Sequence, residues 1–337
     1  MQRYALNILL PAAAAFIVVL SQMGALDLYV QSVIMFMAIN VIMSASLNLV
    51  NGNMGEFSCG HGGFMCVGAY VGSLLSMLLF TNSKLFGAAL LPGYSALVLF
   101  PLVLLGAGAA AALVGVIVAV PSFKTRGDYL AIITLAVNYM VISAIQNLDV
   151  IGGPRGLTGM RPTMSAMEDV VNLPWMMIWV LIGAFGSVAL IRRYISSTYG
   201  KGVNAVCQDE IAAEIMSVDT NRIKLVTFMV SSGLAGVAGA LYAHVVGYVN
   251  PGSFDILKST EAMVMVYLGG MGSLSGSVLS AVLFTLLLEA LRPLQIYKWV
   301  LVPLILILLM QFRPEGIMGN KELPDMFPRL RKYFTFK

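Results

Sequence analysis

Long apolar runs, separated by short polar connections, follow one another along the whole chain. About 20 apolar residues in a helix cross a hydrocarbon core of roughly 30 Å. Nine runs approach that length, at 6–20, 28–50, 57–80, 95–120, 129–147, 173–191, 225–247, 262–288 and 299–312. The first run has no convincing signal-peptide cleavage site before Asp27, so we expect it to remain as a span. The pattern predicts an all-α, polytopic membrane protein of about 8–9 apolar segments, forming one transmembrane domain over residues 1–337.

Lys and Arg residues cluster in two polar stretches, residues 192–224 and the tail 313–337. The cytoplasmic connections of membrane proteins carry an excess of Lys and Arg. We therefore expect both stretches, together with the N-terminus that carries Arg3, on the cytoplasmic side. Counting back from Arg192, the connections near Lys84 and at 147–172 then fall outside.

The three apolar runs that follow Lys224 conflict with this orientation, because three complete crossings would place the basic tail outside. One run therefore stops short of a crossing, and the candidate is 262–288, which contains LGGMGSLSG at 268–276. Glycines at this density break a helix. They predict a re-entrant helix whose free backbone faces a pathway rather than lipid. A continuous helix whose glycines pack against a neighbour is the alternative.

Residues 46–70 place polar and ionisable side chains among glycines, between two apolar runs. A charge at the bilayer centre costs about 2.5–3.5 kcal/mol, so Glu56 and His61 should lie near an interface or face a polar interior. The glycines at 52–55 loosely echo those at 269–272, which indicates either two related halves with broken helices or a chance similarity. The candidate residues of a translocation pathway are Asn48, Glu56, His61, Glu261, Gly269, Gly270 and Gly272.

Composition excludes several other classes of protein. Hydrophobic residues make up 59% of the chain and charged residues 11%, against roughly 25% charged residues in an ordinary soluble domain. Three cysteines without C-x-x-C spacing and two distant histidines argue against a disulfide framework and a metal site. The net charge of +4 does not indicate a nucleic-acid partner, because the basic residues lie at predicted membrane edges.

The stretch 200–224 is the most distinctive polar segment, and its spacing predicts a short surface helix. A mixed apolar surface on that helix comes from Ala205, Ile211, Ala212, Ile215 and Met216. The acids Asp209, Glu210 and Glu214 flank it. One interpretation is a solvated amphipathic helix; the other is a knob that enters a groove of another protein.

Seven motifs in order resemble the permeases of branched-chain amino-acid ABC importers of the LivM type. They lie at 46–70, 123–135 (FKTRGDYLAIITL), 151–160 (IGGPRGLTGM), 208–225 (QDEIAAEIMSVDTNRIKL), 235–244 (AGVAGALYAH), 266–281 (VYLGGMGSLSGSVLSA) and 312–319 (FRPEGIMG). The match runs almost from end to end. The resemblance implies a multi-pass protein of the bacterial inner membrane that imports branched-chain amino acids.

The resemblance also implies that the loop within 192–224 is a coupling helix that inserts into an ATPase subunit. The residues that match the family motif there are Asp209, Glu210, Ala212, Ala213 and Glu214. The chain departs from the family pattern at Ser217, where a glycine is usual, and we expect an altered turn. No G-x-x-x-x-G-K-[ST] motif occurs, so we expect no ATPase activity and no cofactor in this chain, with ATP and Mg held by partner subunits.

The implied partners are a second, LivH-type permease subunit, two ABC ATPase subunits, a soluble substrate-binding protein, the amino acid and membrane lipid. An amino acid needs a route for two opposite charges, and we hypothesise that helix N-termini at the glycine breaks meet its carboxylate. Glu56 or Glu261 would balance its ammonium group. A urea or short-amide permease of the same family and an ion-coupled secondary transporter are the alternatives. A membrane enzyme is less consistent with the sequence, because we find no recognisable catalytic cluster in it.

Overall fold

The computed structural model describes residues 15–24, 26–82, 87–123, 129–312, 315–319 and 322, and the described chain is almost entirely helical. Its helices are α1 (Leu28–Asn48), α2 (His61–Phe80), α3 (Ala96–Ser122), α4 (Tyr129–Gln146), α5 (Arg161–Val170), α6 (Trp175–Ile195), α7 (Thr198–Gln208), α8 (Glu210–Ile215), α9 (Thr220–Val246), α10 (Ile256–Gly269), α11 (Leu274–Ala290) and α12 (Lys298–Phe312). Residues 15–22 are also helical. Two short strands, β1 (Leu157–Thr158) and β2 (Tyr248–Val249), pair antiparallel, with Leu157 opposite Val249. The predicted all-α fold is confirmed.

Six described segments are long and apolar enough to cross a membrane. They are Leu28–Met54, His61–Phe80, Gly93–Ser122, Tyr129–Gln146, Trp175–Ile195 and Thr220–Val246. The predicted runs from 28–50 to 225–247 each coincide with one of them, whereas most of the first run, 6–20, lies outside the described residues. Among these six, the largest error in a boundary is at α9, which begins at Thr220 rather than at residue 225. Helix α2 begins at His61 rather than at residue 57, because residues 55–60 are not helical.

Helix α9 is the centre of the bundle and packs closely against α2 and α3. A Cβ atom on Gly68 of α2 would lie 2.1 Å from the carbonyl oxygen of Gly236, and one on Gly115 of α3 would lie 2.1 Å from Oγ of Ser232. Small residues let helix backbones approach closely enough for dispersion contacts to hold them where lipid removes the hydrophobic driving force. The motif at 235–244 is therefore a packing surface of α9.

The run 262–288 is a helical hairpin. Helix α10 ends at Gly269, and α11 begins at Leu274 and folds back along it, so that Oγ of Ser280 donates to the carbonyl of Met265. The backbones touch beside the turn, where a Cβ on Gly269 would lie 2.5 Å from the carbonyl oxygen of Gly276. The predicted glycine break is confirmed, and the continuous helix is excluded. A hairpin that returns the chain to the side from which it came is the geometry that the distribution of Lys and Arg requires.

The two ends of α9 define two faces of the molecule. Helices α7 and α8 directly precede its first residue, Thr220, and we call this end the loop face. Strand β2 directly follows its last residue, Val246, and pairs with β1 from the connection between α4 and α5; we call this end the strand face. Most of the predicted tail 313–337 lies outside the described residues. Within it, the structure describes 315–319 and 322.

Candidate functional site

The chain between α1 and α2 is the first part of the candidate site, and we call residues 49–60 the α2 break. Helix α1 continues into π-helical turns over Leu49–Met54, which end at Gly55 with a φ of 77°. Residues 55–60 then run without helical hydrogen bonding to the start of α2. Non-helical backbone at membrane depth is tolerated only where protein buries it or where it lines a watery cavity. π-Helical insertions are frequent at functional sites.

The two glycine-rich breaks of the chain are in direct contact. Asn48, at the end of α1, donates from Nδ2 to the carbonyl of Ser273 over 3.0 Å and accepts at Oδ1 from the backbone N–H of Gly272 over 2.9 Å. A Cβ on Gly52 would lie 2.3 Å from the backbone nitrogen of Gly272. The similar runs at 52–55 and 269–272 thus meet in space, as expected for two broken helices. Asn48 supplies the missing backbone partners of the second break.

Two buried polar side chains near the start of α2 have no hydrogen-bond partner among the described residues. Asn138 of α4 is fully buried, and neither atom of its amide finds a hydrogen-bond partner among the described residues. Its Oδ1 atom lies 3.3 Å from the position of a Cβ on Gly62 and 3.0 Å from that of a Cβ on Gly63. The hydroxyl of buried Ser58 is also unpartnered within the described chain. An orphaned buried polar group costs free energy and calls for an explanation, such as a ligand or water that the site receives.

His61 opens α2 and connects three helices. Its Nε2 atom lies 3.0 Å from Oγ of Ser231 on α9, and that hydroxyl donates to the carbonyl of Ser46 on α1. The backbone N–H of Gly62 donates to Oγ of Ser259 on α10 over 2.8 Å. The N-terminus of α2 is therefore held by α1, α9 and α10 together. The other histidine, His244, is buried, with Nδ1 2.7 Å from the carbonyl oxygen of Ala240, as a packed histidine would be.

The remaining predicted pathway residues belong to α10 and to the turn that follows it. Glu261 pairs with Lys258 one turn away on α10, with 2.8 Å between Oε2 and Nζ. Gly269 and Gly272 lie at the turn of the α10–α11 hairpin, where they make the close contacts given above. Gly270 has a φ of 105°, which a glycine adopts without strain, and a Cβ there would lie 2.6 Å from the carbonyl oxygen of Gly319.

The motif at 312–319 closes that hairpin turn. The N–H groups of Ile317 and Met318 donate to the last carbonyls of α10, those of Leu268 and Gly269, over 2.8 and 3.1 Å. The carboxylate of Glu322 accepts from the first N–H groups of α11, with 2.7 Å to the nitrogen of Leu274. Both helix ends at the turn thus gain the partners that a helix terminus lacks. The glutamate also lies where the helix dipole favours negative charge.

The second part of the candidate site is the pair of helices α7 and α8. Asp209 caps α8 by accepting from the N–H groups of Ile211 and Ala212 at 2.9 and 3.0 Å. The helix ends in a turn where the N–H of Val218 donates to the carbonyl of Ala213, and where Ser217 has a φ of 63°. That is the left-handed conformation that glycine favours, so the serine keeps a glycine-type turn rather than changing it.

The side chains of α8 divide into an inward and an outward set. Ala213 is buried against the protein, whereas Ala212 and Glu214 are exposed, and Oε1 of Glu214 accepts from Thr220 over 3.0 Å. Three large apolar side chains point outward, and they are 64–77% exposed: Ile211, Ile215 and Met216. Exposed apolar clusters on a loop mark interaction surfaces. We call Ile211, Ala212, Ile215 and Met216 the α8 knob.

Lys224 connects the two parts of the site. From the first turns of α9 its Nζ atom reaches Oε1 of Glu56, in the α2 break, at 2.7 Å and Oε1 of Glu210, the first residue of α8, at 2.8 Å. Only 8% of the lysine side chain is exposed. Sequence reasoning used Lys224 for orientation alone and expected Glu56 in the pathway. The signal for this cluster was a lysine directly before an apolar run, but its partners lie 168 positions away and within the loop, which spacing does not reveal.

A family model for the permease component of branched-chain amino acid transport systems matches residues 29–311. The high-affinity branched-chain amino acid transport permease LivM of Salmonella typhimurium is 30% identical over 319 residues, which is 87% of this chain and 69% of the relative. LivM of Escherichia coli gives the same figures. LivH of Escherichia coli is 29% identical over 150 residues, covering 43% of this chain and 47% of LivH.

No solved structure gives a significant match. The family match spans most of the chain and includes both breaks, the loop of α7 and α8, and the hairpin of α10 and α11. The number of apolar helices agrees with a multi-pass membrane protein. This chain belongs to the family of permease components of branched-chain amino acid transport systems, and it is a permease subunit of an ABC importer.

Proposed function

We propose that this chain is a transmembrane subunit of an ATP-driven importer of branched-chain amino acids, coupled through the α8 knob to a separate ATPase. The observation that carries the proposal is the exposed apolar surface of α8, held in a fixed conformation by the Asp209 cap and the turn at Ser217. Exposure of Ile211 and Ile215 of this helix, and of Met216 directly after it, to water is unfavourable. Insertion into a groove of a partner would remove that cost.

The orientation follows from charge. Five basic residues lie in the stretch that carries the knob, namely Arg192, Arg193, Lys201, Arg222 and Lys224. The excess of Lys and Arg marks cytoplasmic connections, so the loop face is proposed to be cytoplasmic, where ATPase subunits have access to ATP and Mg. The tail follows α12, and its residues Ile317 and Met318 bind the turn of the α10–α11 hairpin. Both termini are assigned to the same side. The proposed membrane is the bacterial inner membrane.

The proposed substrate route passes the start of α2. Partial positive charge collects at a helix N-terminus, and here it lies beside the unpartnered amide of Asn138 and the hydroxyl of Ser58. A carboxylate that moves past this point would find donors in a low-dielectric surrounding. Glu56 and Glu261 are engaged by Lys224 and Lys258, so neither is assigned to the ammonium group. Gly269, Gly270 and Gly272 shape the second break, and bulky replacements there should abolish uptake while leaving ATPase docking intact.

The proposed assembly contains a LivH-type permease subunit, two ATPases and a soluble binding protein that delivers the amino acid from outside. LivM and LivH are both named as permeases of branched-chain amino acid transport systems, and this chain is similar to both. ATP hydrolysis is assigned to the ATPase subunits. The proposed substrate is the branched-chain amino acid for which these relatives are named.

The experiment compares Ile215→Asp with Val170→Asp in vesicles that contain the co-expressed complex. Both side chains are exposed and apolar, at 77% and 51%, but Val170 lies on α5 and therefore in the connection that bears β1. Only Ile215→Asp should lose both co-purification of the ATPase and ATP-dependent uptake of radiolabelled leucine. An ATPase retained by Ile215→Asp would refute the docking role. Uptake of leucine without ATP would favour an ion-coupled transporter, and ATP hydrolysis without leucine uptake would favour urea or a short amide as the substrate.

A further inference from the structure

We infer that Lys224 is the mechanical link between the ATPase-docking helix α8 and the α2 break, because it holds a carboxylate of each at once. The inference rests on the proposed function and deepens it, since it names the residue through which movement of the docked helix reaches the substrate route. Glu210 is the first residue of α8, and Glu56 lies in the break, five positions before His61. A single ammonium group thus joins three segments that are separate in sequence.

The geometry is that of a rigid joint. The two N–O distances, 2.7 and 2.8 Å, are those of charge-assisted hydrogen bonds, which are shorter and stronger than neutral ones. The ammonium group also lies 5.9 Å from the centre of the Phe123 ring, at the end of α3. Glu56 is 22% exposed and Glu210 is 43% exposed, so the cluster is buried on the side of the break and open on the side of the loop.

Stability alone does not account for such a cluster. A buried ion pair is often no more stabilising than apolar residues of similar volume, whereas removal of one partner leaves an uncompensated buried charge and is strongly destabilising. Separation of Glu210 from Glu56 would carry that same penalty during a conformational change. Displacement of α8 therefore displaces the α2 break, because both carboxylates stay with Lys224.

A second contact brings the loop against the same break. Sγ of Cys207, at the end of α7, lies 2.9 Å from the position of a Cβ on Gly55, so a larger residue there would require the thiol to move. Gly55 also has a φ of 77°, which allows the chain to turn there. The α2 break thus contacts α7 at Gly55 and forms an ion pair with Lys224 through the next residue, Glu56. Movement at this point continues through residues 57–60 to the N-terminus of α2.

The test measures how the α2 break responds to nucleotide, which does not require the substrate to be known. Cys59 lies in the break and is half-buried. In the purified complex with its ATPases, maleimide labelling of Cys59 is quantified by peptide mass spectrometry without nucleotide and with a non-hydrolysable ATP analogue. We expect the labelling rate of the unmodified complex to differ between the two states. In Lys224→Met the two rates should become equal while the ATPase remains bound and active.

Lys258→Met is the matched control. Lys258 forms an ion pair of 2.8 Å with Glu261 and lies 5.9 Å from the centre of the Tyr242 ring, but both residues of that pair belong to α10. This variant, and Lys224→Arg, should keep the nucleotide response. Leucine transported per ATP hydrolysed should fall about tenfold in Lys224→Met, within the roughly 5- to 150-fold range of typical coupling between sites.

Two outcomes would overturn the inference about Lys224, and a third would overturn the proposed function. A nucleotide response in Lys224→Met equal to that of the unmodified complex would overturn the inference, and so would an unmodified complex whose Cys59 labelling ignores nucleotide although the ATPase is bound. Failure of the ATPase to bind the unmodified chain would instead overturn the proposed function. Should Lys224→Met fail to fold, Glu56→Gln and Glu210→Gln each leave the lysine one carboxylate, and each should show the same loss of response.

Discussion

The contact between Gly68 of α2 and Gly236 of α9 gives a quantitative test of the bundle. A Cβ on Gly68 would lie 2.1 Å from the carbonyl oxygen of Gly236 and 2.3 Å from its Cα. A methyl group cannot approach backbone atoms so closely, and close-packed interiors leave no room to absorb it. Gly68→Ala therefore forces the two helices apart by roughly 1 Å.

The loss of stability in Gly68→Ala depends on which atoms obstruct the added methyl group. Overpacking of a well-packed core costs about 1–3 kcal/mol. Both obstructing atoms of Gly236 belong to the backbone, so no change of rotamer relieves the clash, and we expect a value near the top of that range. Alanine also gains up to about 1 kcal/mol over glycine in a helix interior. Gly186→Ala on α6 supplies a control for this gain, because within the described chain no atom beyond its own helix backbone and sequence neighbours lies within 4 Å of its added Cβ.

Reversible denaturation of the two purified variants measures the difference. The free energy of unfolding of Gly68→Ala should be about 1–3 kcal/mol lower than that of Gly186→Ala, since the gain in helix propensity is common to both. Leucine uptake should also fall in Gly68→Ala, because the hydrogen bond of 3.0 Å between His61 and Ser231 joins the same two helices. Equal stability of the two variants would refute this account of the packing.

Three further predictions concern the ends of helices at the site. Ser217→Gly should raise the free energy of unfolding by about 1 kcal/mol, because the left-handed φ of 63° strains a serine; Ser196→Gly, whose serine has a φ of −79°, should show no such gain in the same denaturation assay. Glu322→Ala removes the carboxylate that accepts from the first N–H groups of α11, and hydrogen exchange there should become roughly 2- to 30-fold faster. Burial, and then the nearby charge of Glu56, raise the pKa of the Cys207 thiol. The rate at which this thiol is alkylated at neutral pH should therefore be lower than that of a free cysteine and should rise with pH. Glu56→Gln should increase the rate; a rate unaffected by that substitution would contradict the contribution of the Glu56 charge to the raised pKa.

Hydrophobic pattern predicted most of the fold because lipid imposes strict conditions on a chain. Every backbone polar group in the hydrocarbon must be satisfied within the segment, so a long apolar run is a helix. The broken run at 262–288 was predicted for the same reason, since the glycines of LGGMGSLSG lack both side chains and helix propensity. The alternative of a continuous helix is excluded only by the hydrogen bond from Ser280 to the carbonyl of Met265, which shows that α11 folds back along α10. No local sequence pattern predicts that contact.

The candidate site was predicted in part. The knob stood out as a set of apolar residues in a polar loop, but which of Ala212 and Ala213 points outward depends on how α8 lies on the protein. Glu56 stood out because it is a charge among glycines, yet its partner could not be known. Asn138 carried no signal, because an asparagine in an apolar helix becomes notable only when its amide is found unpartnered beside another helix terminus.

By itself, the sequence determined the class of the protein, the succession of helices, the two glycine breaks and the family, because each depends on residues close together in the chain or on their order. Tertiary structure alone decided that the two breaks touch at Gly52 and Gly272, and that Lys224 joins the loop to the α2 break. These are contacts between segments far apart in sequence. Their geometry is set by how small residues let α2, α3 and α9 approach one another, which is a property of the packed bundle and not of any single segment.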